Sequence, residues 1–152
     1  MSPRRARIEK VVTLREKELD KRVAKLSEQR AAEARALAEQ ERKKQELEQA
    51  SESRMKLAEE GEALSAMTWI EANEWLNARQ KHHEHARLEA ARAELETRKA
   101  QGEVLTARSD LKKLELLSER IQKQEDSDAQ RQERRLEDEL SALRFRRSES
   151  DK

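Results

Sequence analysis

Three histidines, His82, His83 and His85, lie within four residues of one another and are the only histidines in the 152-residue chain. On a helix, His82 and His85 share a face at i,i+3, and Glu89 follows His85 at i,i+4, which is a spacing that can hold a metal ion. No cysteine is present to complete such a site. We therefore expect a solvated face without metal or other cofactor, and we expect His83 to be a tolerated polar residue on a helix seam.

Carboxylates are numerous, with 33 Asp and Glu residues, but the chain offers little material for a catalytic cleft. Only 34% of the residues are hydrophobic and three are aromatic, whereas a compact domain is about 45–50% apolar. A thin helical fold has no concave pocket in which a carboxylate pKa would be shifted. Gly-rich phosphate loops, G-x-S-x-G and H-E-x-x-H are all missing from the sequence. These features predict that the protein is not an enzyme.

The charged residues favour a helical protein that binds other proteins. Lys and Arg number 34 against 33 acids, so the net charge is +1, and only two Gly and one Pro interrupt strong helix formers. A balanced charge argues against a nucleic-acid partner, whose binding needs an excess of basic residues. No apolar run reaches the roughly 18–20 residues of a membrane span, and no apolar run follows the basic start. We expect a cytoplasmic protein without a signal peptide or direct membrane insertion.

Apolar residues recur at coiled-coil spacing in two long stretches. We expect an all-α fold: a long antiparallel two-helix coiled-coil hairpin whose second helix is longer than the first. As a single domain it has a first helix at about 4–59, a turn at about 60–67, a second helix at about 68–146 and a flexible tail at 147–152. The first predicted seam comprises Val12, Leu19 and Leu26, with Val23 and Leu37 at the companion position. The second comprises Leu76, His83, Ala90, Thr97, Val104 and Leu111.

Local signals place the break between the helices. Gly61 can adopt the positive φ that ends a helix. Thr68 and Glu71 have the spacing of a capping box that opens the second helix, and Ser65 is a second possible cap. Gly102 interrupts good helix formers and marks either a bend or a close approach of helices.

Folding back near residue 65 predicts that the numbers of facing residues add to about 130. Leu19 then faces Leu111, and Leu26 faces Val104. Residues after about Glu125 extend past the start of the first helix in this register. The extension carries an apolar face, formed by Leu136, Leu140 and Leu143, that has no partner inside the chain.

Two tryptophans follow the predicted turn. Trp69 and Trp75 either close the end of the coiled coil or anchor a partner, since Trp is enriched in binding hot spots. A single face at i, i+4, i+7 and i+11 is formed by Trp75, Arg79, His82 and Ala86.

The two ends of the chain are basic and come to one pole of a hairpin. They carry Arg4, Arg5 and Arg7 at the start, and Arg144, Arg146 and Arg147 near the finish.

Three stretches resemble the FliJ/YscO family, the central stalk proteins of flagellar and injectisome type III secretion. They are the first-helix run from Ile8 to Asp20, the pair Trp69-Ile70 followed by Trp75 just beyond a mid-chain break, and the run from Leu111 to Arg120. The last has the pattern Leu-x-x-Leu-x-x-Leu-x-Glu-Arg. The length and hairpin layout also agree, so the resemblance extends over nearly the whole chain.

The resemblance implies a hairpin similar to the coiled-coil part of a rotary ATPase γ subunit, which couples ATP hydrolysis to export and hydrolyses nothing itself. Its partners would be the hexameric export ATPase, the export gate membrane protein and export chaperones, at the cytoplasmic side of the inner-membrane secretion apparatus. The pole with both termini would enter the ATPase pore, through Arg4, Arg5, Arg7, Ile8, Leu136, Leu140, Leu143 and Arg144. The gate would be contacted by Trp75, Arg79, His82 and Ala86.

Two other functions remain open from the sequence. A generic coiled-coil scaffold or adaptor would link protein partners and would self-associate through its C-terminal leucines, without an ATPase partner. A nucleic-acid-binding hairpin would bind with an affinity that falls steeply with salt.

Overall fold

The computed structural model describes residues 2–59 and 65–151, and within these ranges it contains two α-helices and no strand. Helix α1 spans Pro3–Glu59 and helix α2 spans Ala66–Ser150, so α2 is the longer, with 85 residues against 57. The two helices pack against each other, which confirms the all-α fold and the longer second helix. Residues 147–150, which were expected in a flexible tail, are the last residues of α2. The expected helix stop at Gly61 lies outside the described residues.

Segments of both helices build each of two compact units. Unit 1 combines Met1–Leu19 with Ala107–Lys152, and unit 2 is Asp20–Thr106. In neither of the two helices, as far as the structure describes them, is there a stretch long and apolar enough to cross a membrane.

The α2 face that packs in unit 2 is rich in alanine. Its buried residues are Leu76, Ala86, Ala90, Thr97, Ala100 and Val104, and His83 is half-buried between them. This confirms the predicted run of sevens, including the polar residue at His83. Small seam residues let two helix backbones approach closely. The Thr97 hydroxyl accordingly lies 3.3 Å from the Gln29 carbonyl of α1, as well as 3.0 Å from the Ala93 carbonyl of its own helix, and can donate to either.

The companion positions on α1 differ from the expectation. Val23 and Leu37 are 40% and 51% exposed, so they lie outside the seam. The seam instead uses the positions three residues after Leu19, Leu26, Glu33 and Gln40, which are Arg22, Gln29, Ala36 and Lys43. It continues through the buried Ala50 to the half-buried Leu57. Both spacings, three and four, are compatible with a heptad, and the closer contact with an alanine-rich partner favours the positions that hold Ala36 and Ala50.

Ion pairs between the helices fix their direction in unit 2. Arg22 Nη1 lies 3.2 Å from Glu103 Oε2, and Lys25 Nζ lies 3.6 Å from the same oxygen. Farther along α1, Glu46 Oε2 receives Arg79 Nη1 at 2.8 Å. Increasing numbers on α1 meet decreasing numbers on α2, so the helices are antiparallel. The numbers of the paired residues add to between 125 and 128. This sum is lower by two to five than the expected sum of about 130.

Helix α1 begins with a cap that also contacts α2 within unit 1. The Ser2 hydroxyl accepts the Arg5 amide at 3.2 Å, and Pro3 occupies the first helical position, where a missing N–H costs nothing. The same hydroxyl donates to the Glu125 carboxylate of α2. Since the first turn of α1 contains no acid, Glu125 supplies the negative charge that stabilises a helix N-terminus.

Helix α2 begins three residues earlier than the predicted capping box. Ser65, the alternative cap, accepts the Thr68 amide at 3.2 Å through its hydroxyl. Thr68 is therefore inside the helix, and its own hydroxyl lies 2.8 Å from that of Ser65. The capping box at Thr68 and Glu71 was the wrong choice, because a start at Ser65 adds a turn to α2 without losing a capped amide.

Past the seam of unit 1, α2 is exposed on every side. Ile121 is buried and Glu125 is half-buried, whereas each residue from Asp126 to Asp151 is exposed. This segment, residues 126–150 of α2, is called the overhang below. At 1.5 Å per residue it is about 37 Å long.

Gly102 sits in open space on α2, because a Cβ built on it would meet no atom within 4 Å. The close helix approach considered for this residue is therefore absent within unit 2. We expect Gly102→Ala to raise the free energy of unfolding by about 1 kcal/mol, since alanine loses less backbone entropy in a helix. Thermal melting should shift upward by about 2–4 °C.

The exposed Ala91→Gly change on the same helix is the matched control and should lower the melting temperature by a similar amount. A Gly102→Ala protein that melts below wild type would show that α2 requires a bend at this residue.

Candidate partner-binding surfaces

Trp75 and Arg79 form the best-defined surface feature of unit 2. The Arg79 guanidinium carbon lies 5.6 Å from the centre of the Trp75 ring, one helical turn away on α2. The indole remains 44% exposed. A guanidinium at this distance attracts the ring face, so the exposed indole is held in one orientation.

Arg79 is itself held by α1. Its Nη1 donates to Glu46 Oε2 at 2.8 Å, and Lys43 Nζ lies 3.5 Å from the same oxygen. Lys43 lies 3.9 Å from Glu39, which also forms a bidentate pair with Arg42. The hydrogen bond from Arg42 lowers the pKa of Glu39 below its ordinary value. Alternating charges therefore run along α1 beside the tryptophan.

A shallow groove follows this row of charges. It has a volume of about 340 Å³ and is lined by Ala36, Glu39, Lys43, His82, His85, Ala86 and Glu89. His82 is exposed at its edge, while Ala86 is only 6% exposed and forms part of its floor. Of the four residues predicted to face the gate, Trp75 and His82 are thus exposed, Arg79 is half-buried and Ala86 lies at the base of the groove.

The histidine cluster does not assemble a metal site in the part of the chain that the structure describes. Residues 2–59 and 65–151 contain no group of three or more His, Asp or Glu side chains close enough to share an ion. His82 and His85 are exposed along the groove, and His83 lies half-buried on the seam.

Trp69 has a different environment from Trp75. The guanidinium carbon of Arg54, which belongs to α1, lies 5.6 Å from the Trp69 ring centre. The contact joins the end of α1 to the start of α2 inside unit 2. Both rings are part-exposed, Trp69 at 37% and Trp75 at 44%. Only the Trp69 contact joins the two helices, which agrees with the interpretation in which this tryptophan closes the end of the coiled coil.

The N-terminal part of the predicted ATPase surface lies in unit 1. Arg4 and Arg7 are exposed, and Ile8 is half-buried on the seam. Arg5 is half-buried with its Nε 3.5 Å from Glu9 Oε1. Arg4 and Arg7 are thus the fully exposed members of this group.

The C-terminal part is the overhang. Leu136, Leu140 and Leu143 are 59%, 55% and 56% exposed, and Arg144 is exposed beside them. Ser2 contacts Glu125, and Leu136 follows eleven residues later, about 16 Å farther along α2. The structure therefore does not bring the N-terminal arginines and these leucines into one patch.

Two exposed apolar residues near the N-terminus were not singled out from the sequence. Val11 is 40% exposed and Leu14 is 64% exposed, next to Lys10 on the outer face of α1. The sequence contains the information needed to predict this exposure. Both residues fall between the seam positions Ile8, Val12 and Leu19, so they lie off the seam. They extend the candidate surface of unit 1.

Comparisons with known proteins agree with the helical layout. A family described as "Flagellar FliJ protein" matches residues 4–150, which include almost all of α1 and α2. Neither a curated protein nor a solved structure matches the chain.

Proposed function

Because the chain belongs to the FliJ family of flagellar proteins, we propose that it is the central stalk that couples ATP hydrolysis to flagellar protein export. Family membership makes it a component of the flagellar export apparatus. In the proposal, unit 1 binds inside the hexameric export ATPase and unit 2 contacts the export gate, a membrane protein. ATP hydrolysis belongs to the ATPase, and the chain contributes no catalytic group.

The overhang is the observation that carries the ATPase part of the proposal. A helix of about 37 Å whose residues are all exposed in the described part of the chain is suited to insertion into a ring of subunits, because all its faces are open. Its three leucines supply apolar contacts of the kind that stabilise protein interfaces. The three leucines stay 55–59% exposed in the free chain. Burying their exposed surface against a partner would therefore contribute favourable free energy to binding.

Exposed basic residues of this chain indicate the charge of the ATPase surface that it would bind. Arg4, Arg7 and Arg144 are exposed in unit 1, so acidic pore walls would complement them. Such charges contribute mainly to the rate and orientation of association. We therefore expect the interaction to weaken as ionic strength rises.

Unit 2 supports the gate part of the proposal. A half-exposed tryptophan held by an arginine has the composition of a binding hot spot, in which Trp and Arg are enriched. The groove beside it offers alanine at its base and both charge signs along its edges. In the proposal the protein is cytoplasmic and peripheral to the membrane, and export chaperones are further partners of the same apparatus.

The test is binding to the purified hexameric export ATPase, comparing the full chain with a variant that lacks residues 126–152. The truncation removes only residues that are exposed where described, so the remaining coiled coil should fold. We expect the full chain to co-purify with the ATPase and the truncated chain to be lost on washing. Equal retention of both would refute the ATPase part of the proposal, and retention of neither would make a generic coiled-coil scaffold the better account.

A further inference from the structure

The apolar stripe of the overhang has a symmetrical sequence pattern. Leu136, Leu140 and Leu143 follow helical steps of four and three, and the next positions on the stripe are Glu133 before them and Arg147 after them. An antiparallel copy presents the same stripe in reverse order. Its Arg147 then lies opposite Glu133, and its leucines lie opposite the three leucines. A seam of this kind is complementary to its own antiparallel copy.

The stripe does not continue the seam of unit 1. Ile121 and Glu125 are the last α2 residues that are buried or half-buried, and steps of seven from them lead to Asp128 and Gln132. Leu136 is one residue beyond the seam position at Arg135, which turns it about 100° around the helix. The leucines thus face away from the line that α1 follows on α2 in unit 1.

Four charged side chains border the stripe and have no partner in the part of the chain that the structure describes. No ion pair or hydrogen bond within residues 2–59 and 65–151 involves the side-chain charge of Glu133, Glu137, Arg144 or Arg147, although the Arg147 carbonyl accepts a hydrogen bond from the Ser150 hydroxyl. Of these four charges, the two acids precede the centre of the stripe and the two bases follow it. A second helix that runs in the opposite direction would therefore meet each acid with a base.

We infer that the overhang binds a second copy of this chain as an antiparallel helix pair, with a two-fold axis near Leu140. In this pairing Leu140 packs on its own copy, and Leu136 packs on Leu143 of the second copy. Glu133 then faces Arg147 of the second copy, and Glu137 faces Arg144 of the second copy, so that each contact occurs twice. A parallel arrangement would place acids on acids and bases on bases.

The pairing is weak and reversible, because its apolar seam has three layers only and stable interfaces bury about 1,200 Å² or more. One contact opposes it: on the other flank Glu139 comes near its own copy. Since the proposed function assigns the same leucines to the ATPase, a chain paired in this way would have to separate before it binds the ATPase. The dimer itself does not depend on that proposal and is measured with the chain alone.

Sedimentation velocity over about 1 μM to 1 mM of the full chain tests the charge pairing. We expect a monomer–dimer equilibrium that Glu133→Arg or Arg147→Glu weakens about tenfold, because each change turns two attractive pairs into repulsive ones. The double variant Glu133→Arg/Arg147→Glu should return to within about threefold of wild type, and Glu139→Gln should associate more tightly. A chain that stays monomeric throughout, or a double variant no better than the single ones, would overturn the inference.

Cysteine cross-linking tests the geometry, since the natural chain has no cysteine. Under mild oxidation, Leu140→Cys should form a disulfide dimer, and a mixture of Leu136→Cys with Leu143→Cys should cross-link faster than either alone. Phe145→Cys is the matched control, because Phe145 is 65% exposed on the opposite side of the helix from Leu136. Fastest cross-linking of Leu136→Cys with itself would indicate a parallel pair, and equal cross-linking at Phe145 a non-specific encounter; either result contradicts the inference.

Discussion

Replacing Leu136, Leu140 and Leu143 together by alanine should abolish stimulation of the export ATPase by this chain. Each leucine is more than half exposed and makes no seam contact in its own chain, so the loss would come from the interface. Burying one leucine contributes about 1.5–3 kcal/mol, and three together would weaken binding by several orders of magnitude. Alanine retains the helix, since its helix propensity exceeds that of leucine. The measurement is the rate of ATP hydrolysis against the concentration of added chain.

Unit 2 provides a matched control for this variant. Leu88, Leu95 and Leu105 are 51%, 62% and 66% exposed on the same helix, and their replacement by alanine removes the same number of carbon atoms. We expect this control protein to stimulate the ATPase like wild type and both variants to show wild-type helical circular dichroism. If the Leu136, Leu140 and Leu143 variant stimulates fully, the overhang is not the ATPase-binding element.

The second large effect is expected at Trp75. Changing Trp75 to alanine should lower affinity for the purified cytoplasmic part of the export gate by tenfold or more, as expected for a hot-spot tryptophan. Its effect on stability should be small, because the ring is 44% exposed and its contact with Arg79 lies within one helix. Isothermal titration calorimetry gives the affinity, and thermal melting gives the stability.

Trp69→Ala is the control, for which we expect the opposite result: a change in stability without a change in gate affinity. The Trp69 ring joins α2 to Arg54 of α1, and the loss of a cation–π contact costs about 0.5–1 kcal/mol at an exposed site. We therefore expect a lower melting temperature with unchanged gate affinity. A gate affinity that falls equally in both variants would mean that the two tryptophans act as one anchor and that the assignment of separate roles is wrong.

Much of the fold could be predicted from the sequence because α2 carries an almost regular heptad pattern. The run from Leu76 to Leu111 is buried or half-buried as expected, and the exposed leucines after Glu125 were also foreseen. On α1 the choice of Val23 and Leu37 failed, since hydrophobicity alone cannot tell the two possible companion positions apart. Packing against an alanine-rich helix decided between them, and that information lies in the other half of the chain.

The candidate surfaces were predictable to the extent that they depend on one helix. Trp75 and Arg79 share a face at i,i+4, and the structure brings them to 5.6 Å. The contact of Arg79 with Glu46 depends on the register between the two helices. The sequence predicted a sum of facing residue numbers that is two to five higher than the sum in the structure. The exact start of α2 was likewise undecided, because Ser65 and Thr68 are both capable caps and only their context selects Ser65.

Titration of the purified export ATPase with the full chain is the most direct test of the stalk. One chain inside each hexamer predicts that ATP hydrolysis rises and reaches a plateau near one chain per six ATPase subunits. The isolated complex should contain the two proteins in the same ratio. A plateau near one chain per ATPase subunit, or no stimulation at any ratio, would contradict a stalk that occupies the centre of the ring.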